Sequence, residues 1–218
     1  MKGARAFEAS VALLAVVFLA FHIPYLPSSL EDLDSINFAL GIRHFDVAQH
    51  QPHPPGYPVF ILIAKAVHAV VPTEARALGL LSAVAGALGV LAIAACFRRC
   101  EADASPPSGW TLAATGVAMT SPLYWFTAVR PLSDMTGLAA ALAVQAMTLA
   151  ATTTREFALA AFAAGLASGI RSQVAWLTLP LLIVRGLGGW GTGGLRQSQV
   201  ASRESQVARP ESQVARPE

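Results

Sequence analysis

Asp32 and Asp34 form an Asp-x-Asp pair beside Glu31, and His53-Pro54-Pro55-Gly56-Tyr57-Pro58 follows further along the chain. Clustered carboxylates can hold a divalent cation through hard oxygen ligands, or one of them can act as a general base whose pKa its neighbours set. The same residue types suit the start of a helix from Ser35, where an aspartate caps free N–H groups. Asp32 and Asp34 are therefore candidates for catalysis, for a cation and for a cap. His44, Asp46, His50 and His53 add metal-type side chains, but no pair of them has a spacing that fixes ligand geometry. In the His-Pro-Pro-Gly-Tyr-Pro stretch two prolines and a glycine stiffen a turn, and Pro58 suits the first position of a helix.

Three more charges stand out against an apolar background. Arg130 and Asp134 sit at a joint between apolar runs, and Arg171 lies inside one. A charge within the hydrocarbon layer is costly and by default marks a functional site, so Arg171 is a candidate for an anionic group such as a phosphate. The alternative is an arginine that snorkels to the interface.

The elements that must carry these residues are read from composition. With 54% hydrophobic residues, 13% charged residues and a mean hydropathy of +0.52, the chain lacks the polar side chains to cover a water-soluble globule. It reads as an all-α, polytopic transmembrane helix bundle. The net charge of +2 is small and its basic residues are scattered over segment ends and the tail, which argues against nucleic acid as a partner. Cys96 and Cys100, beside Arg98 and Arg99 at the end of an apolar run, do not suggest a disulfide framework.

A basic start precedes an apolar run over 9–26, read as an uncleaved first span with its amino end in the cytoplasm. The outer loop, 27–57, then contains a helix over 36–45 lying at the membrane surface. The run 57–71 carries Lys65 and His68 and is short for a crossing. Runs over 77–97, 110–128 and 132–151 are each long enough to cross. The stretch 157–184, interrupted at Arg171-Ser172-Gln173 and at Pro180, reads as two short helices meeting at a polar bend. If 57–72 is re-entrant, Arg98 and Arg99 fall inside, and Arg130 and Asp134 share the outer face with Asp32 and Asp34, as the positive-inside rule favours. Gly165 and Gly169, four apart, permit close helix packing. The membrane module is taken as 1–190. Over 191–218 a Ser-Gln-Val-Ala-Arg-Pro-Glu repeat, with proline in two copies, predicts a disordered tail, as if the coding frame had shifted near 191–195.

Asp34-Ser35, an aromatic-containing amphipathic stretch and His53-Pro54-Pro55-Gly56-Tyr57-Pro58 entering an apolar segment together resemble the first outer loop of the C-type glycosyltransferases, notably the protein O-mannosyltransferase-like group that uses polyprenyl-phosphate sugars. The resemblance runs over about 8–185 and is strongest over 30–63; 121–134 and Gly169-Ile170-Arg171 agree with it more weakly. It implies a multi-pass enzyme of the inner (plasma) membrane with its catalytic loop on the outer face. It also implies a polyprenyl-phosphate sugar as donor, a mannose-like hexose as the transferred group, and membrane lipid as surroundings. By the same resemblance Asp34, and less directly Asp32, would act as catalytic base; a divalent cation on the same two carboxylates stays open from their chemistry alone. His53, Arg130, Asp134 and Arg171 would bind donor or acceptor. Two alternatives stay open: a truncated, non-catalytic remnant of such an enzyme, and a transporter-like or metal-binding membrane protein that uses His50 and His53.

Overall fold

The computed structural model describes residues 2–101 and 109–188. The repeat tail and the expected frame shift near 191–195 lie outside the described residues. Among the described residues every regular element is a helix and no strand forms.

Helix α1, Lys2–His22, runs into a single 3-10 turn at Ile23–Tyr25 around Pro24. It buries Val11, Ala15, Phe18 and His22, spaced four, three and four apart, so one stripe faces its neighbours. Helix α2, Leu33–Arg43, and α3, Pro58–His68, follow in the loop region, and α4, Glu74–Cys100, is the central helix. Ala77, Ala83, Ala85, Gly86, Gly89, Val90 and Ala94 of α4 are all buried, on several sides at once. Side chains this small let neighbouring backbones approach closely. The remaining helices are α5, Gly109–Met119; α6, Pro122–Thr127; α7, Asp134–Ala150; α8, Thr154–Ser168; and α9, Val174–Gly188.

Contacts along α4 set the directions of the others. Gly79 meets Pro27 and Gly86 meets Phe18, while Val11 and Leu91 border one cavity, so α1 is antiparallel to α4. Ser82 Oγ donates to Leu132 O (3.1 Å), Gly89 faces Ala139 and Cys96 Sγ donates to Leu142 O (3.6 Å), so α7 runs parallel to α4. α6 is fastened in between: Tyr124 Oη donates to Gly86 O at 2.6 Å, and His22 Nε2 lies 3.0 Å from Trp125 O. α8 and α9 form an antiparallel hairpin, with Phe157 against Gly186 at one end and Ser168 beside Ala175 at the other.

Helix α3 does not leave the end at which it starts. Its first turn is tied to the α8–α9 turn by Val59 N–H donating to Gly169 O (3.0 Å), and at its last residue His68 Nε2 is 3.9 Å from Glu74 Oε1 at the start of α4. Its 11 residues rise only about 16 Å. Two helical segments, Gly3–Tyr25 and Glu74–Cys100, are long and apolar enough to cross a membrane; α3, α7 and α9 are apolar but shorter.

Three sequence expectations change. The run 110–128 is not one helix: it breaks at Thr120 and Ser121, because Pro122 disfavours helical backbone in the residue before it and instead opens α6. Pro180 does not interrupt 174–188, which is continuous helix. The Gly165 and Gly169 pair is not a helix-packing motif. Gly165 borders open space, and Gly169, in the turn, admits Val59, whose Cγ2 would lie 2.6 Å from an added Cβ.

Gly79 and Gly165 therefore answer differently to enlargement. A Cβ at Gly79 overlaps the Pro27 ring, so Gly79→Leu is expected to destabilise the detergent-solubilised chain by about 1–3 kcal/mol, read as a lower melting midpoint. Gly165→Leu is expected to shift stability by less than about 0.5 kcal/mol.

Candidate functional site

Asp32 is the N-cap of α2. Its backbone is extended, its Oδ1 accepts from Ser35 N–H at 2.8 Å, and its own N–H donates to Ser35 Oγ at 3.4 Å, a reciprocal capping box. Its second oxygen, Oδ2, faces Arg130 Nη2 at 3.8 Å. The cap alternative is thus the geometry found for Asp32, with one oxygen committed to the helix. Asp34, two residues into the helix, is free of that duty. Its side chain is 60% exposed and its Oδ1 lies 3.8 Å from His53 Nδ1.

The loop between α2 and α3 delivers His53. Asp46 and Gln51 exchange backbone hydrogen bonds (2.6 and 2.8 Å), and Asp46 Oδ1 accepts from Ala48 and Gln49 N–H. His50 turns the chain with φ 57°. Asp46 and His50 therefore build the loop, and His44 closes α2 through its backbone N–H to Leu40 O. Among the described residues no group of three or more His, Cys, Asp or Glu side chains is placed to hold a metal.

Gly56 adopts φ 97°, a region few L residues enter, and a Cβ there would also lie 2.8 Å from Val47 Cγ2. Tyr57 follows with φ 47°, and Pro58 opens α3. This turn folds Tyr57 back over His53: the phenol oxygen is 3.2 Å from His53 Nε2 and the ring centroids are 5.1 Å apart. Phe38 of α2 packs on both rings and on Phe60 of α3. His53 Nδ1 is buried without a hydrogen-bond partner. Burial raises the Tyr57 pKa; Arg171 acts against that rise, while Asp34 and Asp134 add to it.

The third part comes from the far end of the sequence. Arg171, in the α8–α9 turn, pairs with Asp134 Oδ1 at 3.0 Å and donates from Nη1 to Ser133 Oγ at 2.9 Å. Its stem lies across Gly137, where an added Cβ would sit 3.0 Å from Arg171 Cβ. Arg171 therefore turns onto α7 instead of snorkelling outward. Arg130 keeps a 57% exposed side chain.

All six residues singled out by sequence, Asp32, Asp34, His53, Arg130, Asp134 and Arg171, thus lie at one end of the packed helices. Three contacts join them, Asp32 to Arg130, Asp34 to His53, and Asp134 to Arg171, and Tyr57 stands within electrostatic reach of Asp34, Asp134 and Arg171. Tyr57, Ser133 and Gly137 were not anticipated. The four-residue separation of His53 and Tyr57 across a Pro-Pro-Gly turn was the available signal for the first. Two cavities lie elsewhere: one of about 600 Å³ at the opposite end, among Phe7, Glu8, Leu91, Arg98 and Arg99, and one of about 550 Å³ in the α8–α9 groove.

No family model, no curated protein and no solved structure matches this chain.

The Tyr57 shift carries a sign. Above the ordinary tyrosine value of 10.0 the unfolded chain loses this proton first, so the folded state holds more protons and its stability falls as pH rises through the raised value. Helicity of the wild-type chain in detergent, followed across alkaline pH, is expected to fall more steeply than that of Tyr57→Phe.

Proposed function

We propose that the chain is the catalytic module of a membrane glycosyltransferase that moves a hexose from a polyprenyl-phosphate donor to an acceptor hydroxyl at the outer face of the membrane. The observation that carries this reading is the placement of an exposed carboxylate, Asp34, at the same end as the two guanidinium groups of Arg130 and Arg171, above helices of which two are long enough to span lipid. Asp34 takes the proton of the acceptor hydroxyl as its oxygen attacks the anomeric carbon. The bond from that carbon to the phosphate oxygen breaks, and the lipid phosphate leaves with the electron pair.

The two arginines divide the work unequally. Arg171 is held by Asp134 and Ser133, so it positions the helices, whereas Arg130 is more exposed and faces Asp32 only at 3.8 Å. Arg130 is therefore the group for the donor phosphate, whose two free oxygens suit a guanidinium fork that Asp32 meets only at 3.8 Å. A resident divalent cation does not fit the donor set: Asp32 has one oxygen in the helix cap, Asp34 faces an imidazole, and no third ligand converges among the described residues. No step is assigned to a metal.

Orientation follows from the arginines at the other end. Arg5, Arg98, Arg99, Arg155 and Arg185 lie there, whereas the site end holds Arg43, Arg130 and Arg171, each facing a carboxylate, together with Lys65 and Arg76. The pair Arg98 and Arg99 at the end of the long helix α4 supports, by the positive-inside rule, the reading with the site on the outer face of a multi-pass inner-membrane protein.

Membranes carrying the 218-residue chain are expected to transfer labelled hexose from a polyprenyl-phosphate donor. Asp34→Asn is expected to lower the rate by about 10²–10⁴-fold with insertion unchanged. Full activity in that variant would refute the assignment, and insertion without transfer by either chain supports the non-catalytic remnant.

A further inference from the structure

We propose that Tyr57 is a positioning residue: its phenol O–H donates to His53 Nε2, which places the hydrogen of the uncharged imidazole on Nδ1 and aims that N–H at the Asp34 carboxylate. The relay itself stands on geometry alone, while its use in catalysis rests on the transfer reaction proposed above.

A neutral imidazole has one donor nitrogen and one acceptor nitrogen, and a phenol can play either part, so two arrangements are open to the pair of atoms 3.2 Å apart. In the first, Nε2 carries the hydrogen and donates to Tyr57. The Nδ1 lone pair then faces Asp34 Oδ1, 3.8 Å away, and stays buried with no donor. Opposing a lone pair to a carboxylate is repulsive, and a buried acceptor left without a donor is costly. In the second, the phenol donates to Nε2, and the hydrogen on Nδ1 is directed at the carboxylate. The repulsion is replaced by attraction between the N–H and the carboxylate.

The surroundings favour the second arrangement as well. Tyr57 is buried and holds its proton against loss, so a donor is always present. Neither ring has freedom to leave: Phe38 packs at 5.4 Å on His53 and at 5.1 Å on Tyr57, itself backed by Phe60 at 5.0 Å. The positive φ at Gly56 and Tyr57 is what brings the phenol back over a residue four positions earlier. Asp34 is exposed, and without a fixed neighbour its carboxylate would rotate freely. An N–H directed at Oδ1 holds the group and leaves Oδ2 for an incoming hydroxyl. The separation of 3.8 Å is long for a hydrogen bond, and such contacts shorten when the substrate closes the site. His53 gains and loses no proton in this role.

The test is the tautomer of His53 in the full chain, labelled with ¹⁵N-histidine, reconstituted in lipid nanodiscs at mildly alkaline pH and assigned with His53→Gln. Two-bond nitrogen–proton correlations are expected to show Nδ1–H in the wild type. In Tyr57→Phe, which keeps the ring that Phe38 packs on and leaves Asp34 facing Nδ1, they are expected to show a raised share of the Nε2–H form that free histidine prefers. An Nε2–H signal in the wild type overturns the proposal, and so does a tautomer ratio in Tyr57→Phe equal to the wild type's. The wild-type measurement needs no variant to fold. Where transfer is measured, Tyr57→Phe is expected to lower kcat about tenfold with KM unchanged, the loss of one hydrogen bond's worth of orientation. A change confined to KM refutes positioning. A wild-type chain that transfers nothing refutes the glycosyltransferase reading but leaves the tautomer result standing.

Discussion

The ion pair between Arg171 and Asp134 is the constraint on which the site end depends. It joins the α8–α9 turn to the start of α7, and the same turn receives the start of α3 through Gly169. Were the turn released, α3 would lose its anchor and the loop carrying His53 and Tyr57 would lose its footing. Partial exposure of the two side chains, 27% and 41%, keeps the pair from being worth the several kcal/mol of a fully buried one. Its value is positional: a second bond to Ser133 and the bare surface of Gly137 beneath the stem leave the guanidinium one place to lie.

Residues whose chemistry conflicts with their setting were legible in the sequence. Arg171 in an apolar stretch and Arg130 with Asp134 at a joint are conspicuous because a lone charge there is expensive, and each was found beside a carboxylate or a guanidinium. Asp34 and His53 were legible as loop residues of the right type. Their meeting was not, because it follows from a left-handed turn at Gly56 and Tyr57 that composition does not announce. The double character of Asp32 shows a different limit: a cap and a catalytic carboxylate require the same residue at the same place, and only its bond to Ser35 N–H distinguishes them.

Helix existence was easier to read than helix extent. Hydropathy alone cannot see that Ser121 is barred from helical backbone by the proline after it, so 110–128 looked continuous, while Pro180 looked disruptive and is not. The pair Gly165 and Gly169 failed as a packing motif because the second glycine lies beyond the last helical residue, Ser168, where its smallness serves the α3 contact.

The directions of the helices give the site end a property that no single residue supplies. α2, α3, α7 and α9 all begin there, at Asp32, Tyr57, Ser133 and the Arg171 turn. Each helix start presents unpaired N–H groups and the positive end of its dipole, equivalent to roughly half a charge. The carboxyl ends of α1 and α8 lie at the same end and act in the opposite sense, so the effect is local to each first turn. The first-turn carboxylates Asp34 and Asp134 gain directly from this field. On helices running the other way Asp34 and Asp134 would have stood in last turns, against unpaired carbonyls, and each would be disfavoured where it is now favoured.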